Sequence, residues 1–276
     1  MDVSDTDGQA IRSVGVIGLG MMGRPIARHL LAGGFAVTAC DIDAAAAETV
    51  RGFGAAIAGS PRAVAEAAEL VIVLTAFEQQ VEQVLFGPDG IATAGRAGLV
   101  VAIGATIAPT AMRAIAARLE ALGIVALDMP ICRGERAAED GALMVIGGGP
   151  AAAFERCRAA FATFASDISY LGEAGAGQVG KMVNNLILWA CISANHEGML
   201  LGERLGVERE AMRDMLLRSS GQNWALQTRV AELVMPWAEK DMMIVLNEAD
   251  RARLSLPLCG TVKEVIKGIK IQRGDF

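Results

Sequence analysis

The chain has 276 residues, enough for one compact α/β domain followed by a smaller second domain. Acidic side chains outnumber basic ones by 31 to 25, and the net charge of −6 offers no electrostatic footprint for nucleic acid. The five cysteines are dispersed and form no C-x-x-C pair, which indicates free thiols in a reducing compartment. No charge-free apolar run reaches about 20 residues, and segment 1–9 lacks the apolar core of a signal peptide. We therefore predict a cytoplasmic protein without a membrane span.

The first motif joins a short strand to a helix. Val14–Ile17 is an apolar run of strand length, segment 18–23 reads Gly-Leu-Gly-Met-Met-Gly, and helical spacing follows from Arg24 to Leu31. This is G-x-G-x-x-G in its required context, where the glycines allow a tight turn and let a pyrophosphate approach the helix N-terminus. The motif predicts a dinucleotide site. The residues expected to contact the cofactor are Gly18, Leu19, Gly20, Met21, Met22 and Gly23, together with Leu74 and Thr75 at the end of a later strand candidate.

An acidic residue follows the second strand candidate. Val37–Cys40 is followed directly by Asp41, which lies eighteen residues past Gly23. A carboxylate at this point hydrogen-bonds a ribose 2′-hydroxyl and repels a 2′-phosphate, so NAD is predicted in preference to NADP. The alternative role of Asp41, as a helix N-cap, is disfavoured by its place at the end of the strand.

The second motif surrounds Lys181. Segment 172–185 contains four glycines before Lys181 and opens a long apolar pattern of helical period. The glycines are interpreted as clearing space for the helix start to approach something flat and bulky. Asn184 and Asn185 lie one turn after the lysine on the same helix face. A lysine beside two amides can move a proton while they hold an oxygen-rich ligand; the alternative is a solvated lysine that opens a helix.

The rest of the chain divides into an alternating part and a helical part. The strand candidates of the first part are Val14–Ile17, Val37–Cys40, Leu70–Leu74, Leu99–Ile103 and Val125–Leu127. Helical stretches between them predict a Rossmann-type, doubly wound parallel sheet. Leu143–Ile146 and Ile168–Leu171 are interpreted as additional edge strands of it. We predict an NAD-binding domain over residues 10–172 and an all-helical substrate and dimerisation domain over 173–276, with the chemistry in the cleft between them.

Taken together, the motifs resemble those of the β-hydroxyacid dehydrogenases, the group of 3-hydroxyisobutyrate dehydrogenase and tartronate semialdehyde reductase, related to 6-phosphogluconate dehydrogenase. The resemblance covers nearly the whole chain. Segment 103–109 is similar to the family's Ser-Thr-x-x-Pro loop, with Ala105 in place of the serine. Segment 177–185 is similar to its catalytic signature, and Lys240-Asp241 to a late Lys-Asp pair.

The resemblance implies hydride transfer between the nicotinamide of NAD and the carbinol carbon of a small 3-hydroxy acid. Lys181 is then the general acid/base, and Asn184 and Asn185 orient the substrate. Thr106 contacts the nicotinamide side, and Lys240 reaches both cofactor and substrate. The partners expected are a small anionic substrate and further copies of the chain, as a homodimer or homotetramer through the helical domain. No metal is expected, because neither histidine has a second His or Cys spaced for one.

The substrate loop departs from the family pattern. Segment 128–134 reads Asp-Met-Pro-Ile-Cys-Arg-Gly, where the family usually has Asp-x-Pro-Val-Ser-Gly-Gly. Arg133 and Gly134 are assigned to substrate binding, and arginine binds oxyanions well through its fork of donors. A similar loop occurs in sulfolactaldehyde reductases, so the alternative function is reduction of a doubly anionic aldehyde. Otherwise Arg133 faces solvent or pairs with a nearby acid, namely Glu135, Glu139 or Asp140. Cys132 is expected to be an inert pocket thiol.

Two other classes of protein remain as alternatives. A non-catalytic dinucleotide sensor would keep the glycine loop but would have no need of Lys181, Asn185 and Lys240 together. Imine reductases share the architecture, but they generally replace the lysine and use NADPH, so Lys181 and Asp41 argue against that class.

Overall fold

The computed structural model describes residues 10–228 and 237–274. The chain divides into two compact units, one ending at Lys181 and the other beginning at Met182. The division lies inside the long helix Ala176–Arg204, nine residues beyond the boundary predicted between residues 172 and 173. Within the described ranges, no helix is long and apolar enough to cross a membrane.

A six-stranded parallel sheet forms the centre of the first unit, in the order β3-β2-β1-β4-β5-β6. Its strands are β1 (Ser13–Ile17), β2 (Ala36–Cys40), β3 (Ala56–Ile57), β4 (Leu70–Val73), β5 (Val100–Ile103) and β6 (Val125–Asp128). Its helices are α1 (Gly23–Ala32), α2 (Ala44–Gly52), α3 (Pro61–Ala67), α4 (Glu78–Phe86) and α5 (Pro109–Glu120), with a 3-10 turn at Ile91–Ala94. The predicted doubly wound Rossmann sheet is confirmed.

Apolar side chains cover both faces of this sheet, as a parallel sheet requires. Successive residues of a strand point to opposite faces. Leu70 and Ile72 therefore belong to one buried cluster, while Val71 and Val73 belong to the other. The strands thus appear in the sequence as continuous apolar runs.

A second, three-stranded sheet completes the first unit, in the order β7-β8-β9. It contains β7 (Ile131–Cys132), β8 (Leu143–Gly147) and β9 (Ala165–Tyr170), with α6 (Gly134–Glu139) and α7 (Ala151–Phe161) between them. The prediction that β8 and β9 extend the main sheet is wrong. An apolar run shows that a strand is present but not its pairing partner, and the two-residue β7 is too short for periodicity to reveal.

The second unit is helical throughout its described part, as predicted. It contains most of α8 (Ala176–Arg204), followed by α9 (Arg209–Leu216), α10 (Trp224–Thr228), α11 (Ala238–Arg251) and α12 (Pro257–Arg273). Trp189 of α8, Met242 and Val245 of α11, and Val262 and Ile266 of α12 share one buried cluster. These apolar contacts bring α8 and α11 side by side.

Candidate active site

The glycine loop between β1 and α1 has the geometry of a dinucleotide-binding turn. Gly18 has φ of 93°, and a Cβ there would lie 2.8 Å from the carbonyl oxygen of Leu74. A Cβ on Gly23 would overlap the carbonyl oxygen of Gly18. At Gly20, by contrast, no described atom lies within 4 Å of the Cβ position. The first and third glycines are therefore required by the fold, whereas the second leaves open space for a ligand.

The Asp41 carboxylate lies beside this loop. One oxygen accepts the backbone N–H of Leu19, and the other accepts that of Asp43 at 2.8 Å. The N-cap of α2 is Asp43, whose Oδ1 accepts from the backbone N–H of Ala45 at 2.9 Å. The fold thus gives the capping role to Asp43 and holds Asp41 next to the glycine loop.

Thr75 carries a buried hydroxyl that has no hydrogen-bond partner among the described residues. It follows Leu74, whose backbone packs against Gly18. A buried hydroxyl without a partner costs about 1–3 kcal/mol, which a polar group of a ligand would relieve. With the open space at Gly20 and the carboxylate at Asp41, these residues fit a dinucleotide.

The loop that carries Thr106 is attached to the start of α8 by Gln178. The Gln178 side chain is fully buried, and its Nε2 donates to the carbonyl oxygen of Ala105 at 2.8 Å. Its Oε1 accepts the backbone N–H of Ile107 at 3.2 Å. Thr106 therefore lies between two anchored neighbours. Sequence reasoning missed Gln178, since a glutamine in the first turn of a helix usually faces solvent.

Asp128, at the end of β6, holds the same helix start. Its side chain is fully buried and accepts the backbone N–H groups of Gly175 at 3.0 Å and of Gln178 at 3.1 Å. The N–H groups at a helix N-terminus have no partner within the helix, so Asp128 supplies one. The negative charge of a carboxylate also complements the positive end of the helix dipole. Burial raises the pKa of Asp128 above its ordinary value, and the backbone hydrogen bonds oppose that shift. Asp128 is a cap supplied from a distant strand.

The glycines that precede Lys181 pack the helix onto the protein itself. A Cβ on Gly177 would lie 2.7 Å from both the Cβ of Asp128 and the carbonyl oxygen of Ile146. A Cβ on Gly180 would lie 2.5 Å from a methyl group of Leu171. For these two glycines, the interpretation that they clear space for a flat ligand is wrong. They allow close approach to β6, β8 and the residue after β9.

Lys181 reaches the predicted substrate loop. Its Nζ donates to the carbonyl oxygen of Ile131 at 2.7 Å and lies 3.6 Å from Sγ of Cys132. The side chain is half-buried. An ammonium group has three N–H donors, so at least one remains for an oxygen of a ligand. The fold thus brings together a lysine and a loop that are about fifty residues apart in the sequence.

Arg133 occupies a backbone conformation that favours glycine, with φ of 88°. Its guanidinium donates to Oδ2 of Asp167 at 2.6 Å and to Oγ of Ser166 at 2.8 Å. The arginine lowers the pKa of Asp167. None of the acids near it in sequence is the partner; β9 supplies that acid because it lies in the same small sheet. Gly134, the next residue, begins α6.

In the second unit, two amides of α8 form a chain with a buried acid. Nδ2 of Asn184 donates to Oδ1 of Asn185 at 3.0 Å. Nδ2 of Asn185 donates to Oδ2 of Asp241 at 2.9 Å, and Nε1 of Trp189 donates to the same oxygen at 3.0 Å. Sequence reasoning singled out the two asparagines and noted Asp241 only as part of the Lys-Asp pair, without a role; it missed Trp189. The spacing of four between Asn185 and Trp189, on one helix face, was the available signal.

Lys240 lies near an aromatic ring, and His29 contacts a backbone carbonyl. Nζ of Lys240 lies 5.6 Å from the ring centre of Trp237, within the range of a cation–π contact. Nε2 of His29 lies 3.1 Å from the carbonyl oxygen of Ala138, where it links α1 to α6. No group of three or more metal-binding side chains occurs in the part of the chain that the structure describes.

Comparison with known proteins agrees with this geometry. The NAD binding domain of 6-phosphogluconate dehydrogenase matches residues 13–172, and the NAD-binding domain of NADP-dependent 3-hydroxyisobutyrate dehydrogenase matches residues 175–275. L-threonate dehydrogenase of Cupriavidus necator is 33% identical, over 92% of this chain and 89% of the relative. NAD-dependent L-serine dehydrogenase of Pseudomonas aeruginosa is 35% identical, over 82% and 74%.

The solved structure of 3-hydroxyisobutyrate dehydrogenase from Salmonella typhimurium is similar with a TM-score of 0.82. It is 30% identical, and the similarity covers 91% of this chain and 92% of the other. A Rossmann sheet with a dinucleotide loop, followed by a helical unit, is typical of nicotinamide-dependent oxidoreductases. The chain belongs to the β-hydroxyacid dehydrogenase family. It is an NAD-dependent 3-hydroxyacid dehydrogenase that acts on CH–OH groups.

Proposed function

We propose that this enzyme interconverts a small 3-hydroxy acid and its semialdehyde or keto form, with Lys181 as the general acid/base. The observation that carries the proposal is the hydrogen bond from Nζ of Lys181 to the carbonyl oxygen of Ile131, at 2.7 Å. It directs a half-buried ammonium to the loop that the family uses for its substrate. The cofactor, when bound, accepts the hydride as NAD during oxidation and supplies it as NADH during reduction.

Lys181 has two tasks in this proposal. During reduction it donates a proton to the carbonyl oxygen of the substrate, and during oxidation it accepts the proton of the hydroxyl group. Its positive charge also stabilises the oxygen as negative charge develops there. The Ile131 carbonyl fixes the end of the side chain. Asp128 and Gln178 fix the helix start from which it projects.

Substrate binding is assigned to residues that the sequence motifs single out. Asn184, Asn185 and Lys240 would hold the hydroxyl and carboxylate groups of a small anionic substrate, and Gly134 belongs to the substrate loop. The names of the relatives support a small substrate, because L-threonate and L-serine are both compact hydroxy acids. A doubly anionic aldehyde remains the alternative substrate, and it would require Arg133 to exchange Asp167 for the second anion of the substrate.

We further propose a cytoplasmic enzyme that assembles as a homodimer or homotetramer through the helical unit. Ile187 and Leu201 of α8 are 58% and 60% exposed, and Leu205, the residue directly after this helix, is 74% exposed. Large apolar side chains that are this exposed mark a candidate interaction surface. A second copy would bury them. Light scattering tests the assembly, and a monomeric mass at micromolar concentration would contradict it.

A panel of substrates tests the proposed activity. Purified protein is mixed with NAD and, in turn, 3-hydroxyisobutyrate, L-serine, glycerate and L-threonate, while NADH formation is followed. The reverse reaction is followed with NADH and tartronate semialdehyde. Turnover of at least one of these compounds is expected. Binding of NAD without turnover of any of them would overturn the proposal and favour a dinucleotide sensor.

A further inference from the structure

The buried carboxylate of Asp241 has no part in the function proposed above. It is only 6% exposed, in an apolar cluster between α8 and α11. Burial of a charge is unfavourable unless hydrogen bonds compensate for it. Hydrogen bonds from α8 do so here: Oδ2 of Asp241 accepts Nδ2 of Asn185 at 2.9 Å and Nε1 of Trp189 at 3.0 Å.

We propose that Asp241 is a positioning residue: it sets the orientation of the Asn185 amide, and through it that of Asn184, and so determines which hydrogen-bonding groups the substrate meets. This inference rests on the proposed function, which assigns the two amides to the substrate.

The orientation of the amides follows from which groups can donate and which can only accept. An asparagine side chain presents either its oxygen or its NH2 group to a neighbour, so its orientation is open until a neighbour decides it. An ionised carboxylate only accepts, and an indole N–H only donates. Asp241 therefore forces the NH2 group of Asn185 inward. The Asn185 oxygen must then face the other way, where it accepts Nδ2 of Asn184 at 3.0 Å.

Asp241 fixes the orientation of the Asn185 amide, and Asn185 in turn fixes the orientation of the Asn184 amide. Because Asn184 uses an N–H to bond Asn185, its own oxygen is left to act as an acceptor for a ligand. Within the described ranges, the second N–H of Asn185 has no partner and can act as a donor. Asn184 is half-buried, so this end of the chain is accessible. An acceptor beside a donor matches a hydroxyl group next to a carboxylate, the pattern of a small hydroxy acid.

Replacing the carboxylate of Asp241 by an amide would leave the orientation of the Asn185 and Asn184 amides undetermined. Asp241→Asn has nearly the same shape, but the introduced amide could offer either its oxygen or its NH2 group to Asn185. The series of hydrogen bonds could then form with the amides in either orientation. In one of these orientations a substrate hydroxyl would meet a donor where it needs an acceptor, or the reverse. A site that presents mismatched polar groups discriminates strongly against its ligand. The bond itself would also lose its charge assistance.

The main experiment is a double-mutant cycle with the best substrate of the panel. KM, kcat and NAD affinity are measured for the wild type, Asp241→Asn, Asn185→Ala and the double variant. Loss of a charge-assisted hydrogen bond predicts a roughly ten- to hundredfold rise in KM for Asp241→Asn, with a smaller change in kcat and unchanged NAD affinity. In the Asn185→Ala background, Asp241→Asn is expected to raise KM by no more than about twofold. Additive effects would overturn the proposal, because they would mean that Asp241 does not act through Asn185.

Trp189→Phe is the matched control for a merely structural role. It removes the hydrogen bond from Nε1 of Trp189 to the same oxygen and leaves the Asn185 bond in place. Its thermal stability is expected to fall, while the KM for substrate stays within about threefold of the wild type. A KM increase equal to that of Asp241→Asn would overturn the proposal in favour of a general loosening of α8 against α11.

A second measurement does not depend on activity or on the folding of any variant. In the wild type, one side-chain amide proton of Asn185 is expected to resonate downfield and to exchange slowly in NMR spectra, because it is bonded to a buried carboxylate. Two equivalent, rapidly exchanging protons would overturn the positioning role even if the enzyme is active. Conversely, an inactive protein with a protected Asn185 proton would overturn the proposed function and leave the orientation by Asp241 intact.

Discussion

Nζ of Lys181 lies 2.7 Å from the carbonyl oxygen of Ile131, so the small β7 strand holds the end of the lysine that α8 presents. A backbone carbonyl accepts a hydrogen bond without taking the proton, so the amine keeps its chemistry while its position is restricted. The relationship explains why a two-residue strand matters for function. It joins the loop proposed to bind the substrate to the helix that carries Lys181.

Substitution of Lys181 tests its role directly. Lys181→Met keeps the length of the side chain and removes its proton, so kcat is expected to fall by roughly 10²- to 10⁴-fold while NAD affinity is unchanged. Lys267→Met is the control, since Lys267 pairs with Glu264 on the surface of α12. Retention of more than about a tenth of wild-type kcat by Lys181→Met would contradict the assignment.

Asp41 should determine the choice of cofactor. The wild type is expected to prefer NAD, because the carboxylate bonds a ribose hydroxyl and repels a 2′-phosphate. Asp41→Asn keeps an acceptor for the N–H of Leu19 but removes the charge, so the ratio of kcat/KM for NAD to that for NADP should fall about tenfold or more. Equal use of NAD and NADP by the wild type would show this interpretation of Asp41 to be wrong.

Thr75→Val separates ligand binding from stability. In the ligand-free protein the Thr75 hydroxyl has no partner among the described residues, so its removal should leave the free energy of unfolding unchanged or raise it by about 1 kcal/mol. NAD affinity should fall about two- to tenfold. Thr93→Val is the control, because the Thr93 hydroxyl donates to the carbonyl oxygen of Gly90 at 2.7 Å. It should lose stability and keep NAD affinity; the same behaviour in both variants would contradict the prediction.

The Arg133–Asp167 pair tests the doubly anionic substrate. A second anion must displace the Asp167 carboxylate from the guanidinium, at present 2.6 Å away. Asp167→Asn removes that competitor and should increase the preference for a doubly over a singly anionic substrate, whereas Arg133→Gly should abolish the preference. Values of kcat/KM are compared at one salt concentration, because exposed charges are screened. If neither variant alters the preference, Arg133 has no part in substrate binding.

The buried Asp128 gives the stability a pH dependence of known sign. Burial raises its pKa, so the folded protein holds this proton more tightly than the unfolded chain does. The resulting stabilisation is fully present below the unfolded pKa of about 3.9 and is lost as pH rises through the folded pKa. The free energy of unfolding of the wild type, relative to Asp128→Asn, is therefore expected to decrease with rising pH. Urea unfolding of both proteins at a series of pH values measures this free-energy difference. If the difference increases with pH, the pKa of Asp128 is not raised.

The parallel sheet, the glycine loop and the helical second part were all predictable from local pattern. Apolar runs of four or five residues, separated by helical periods, define β1, β2, β4, β5 and β6, since strands buried on both faces need no polar alternation. Gly18 and Gly23 are dictated by backbone contacts that no other residue tolerates. Lys181 was recognisable because its glycine-rich surroundings and its two asparagines lie within a single stretch of chain.

The partners of these residues were decided only by the tertiary structure. The pairing of β8 with β7 and β9, the bond from Lys181 to Ile131, and the pairing of Arg133 with Asp167 join segments that are up to fifty residues apart. Asp128 and Asp241 belong to motifs noted in the sequence, but nothing in the sequence shows that they are buried or that they accept hydrogen bonds from Gln178 and Asn185 of α8. Local pattern records the period and polarity of a segment, whereas burial and hydrogen bonding depend on what the fold packs against it.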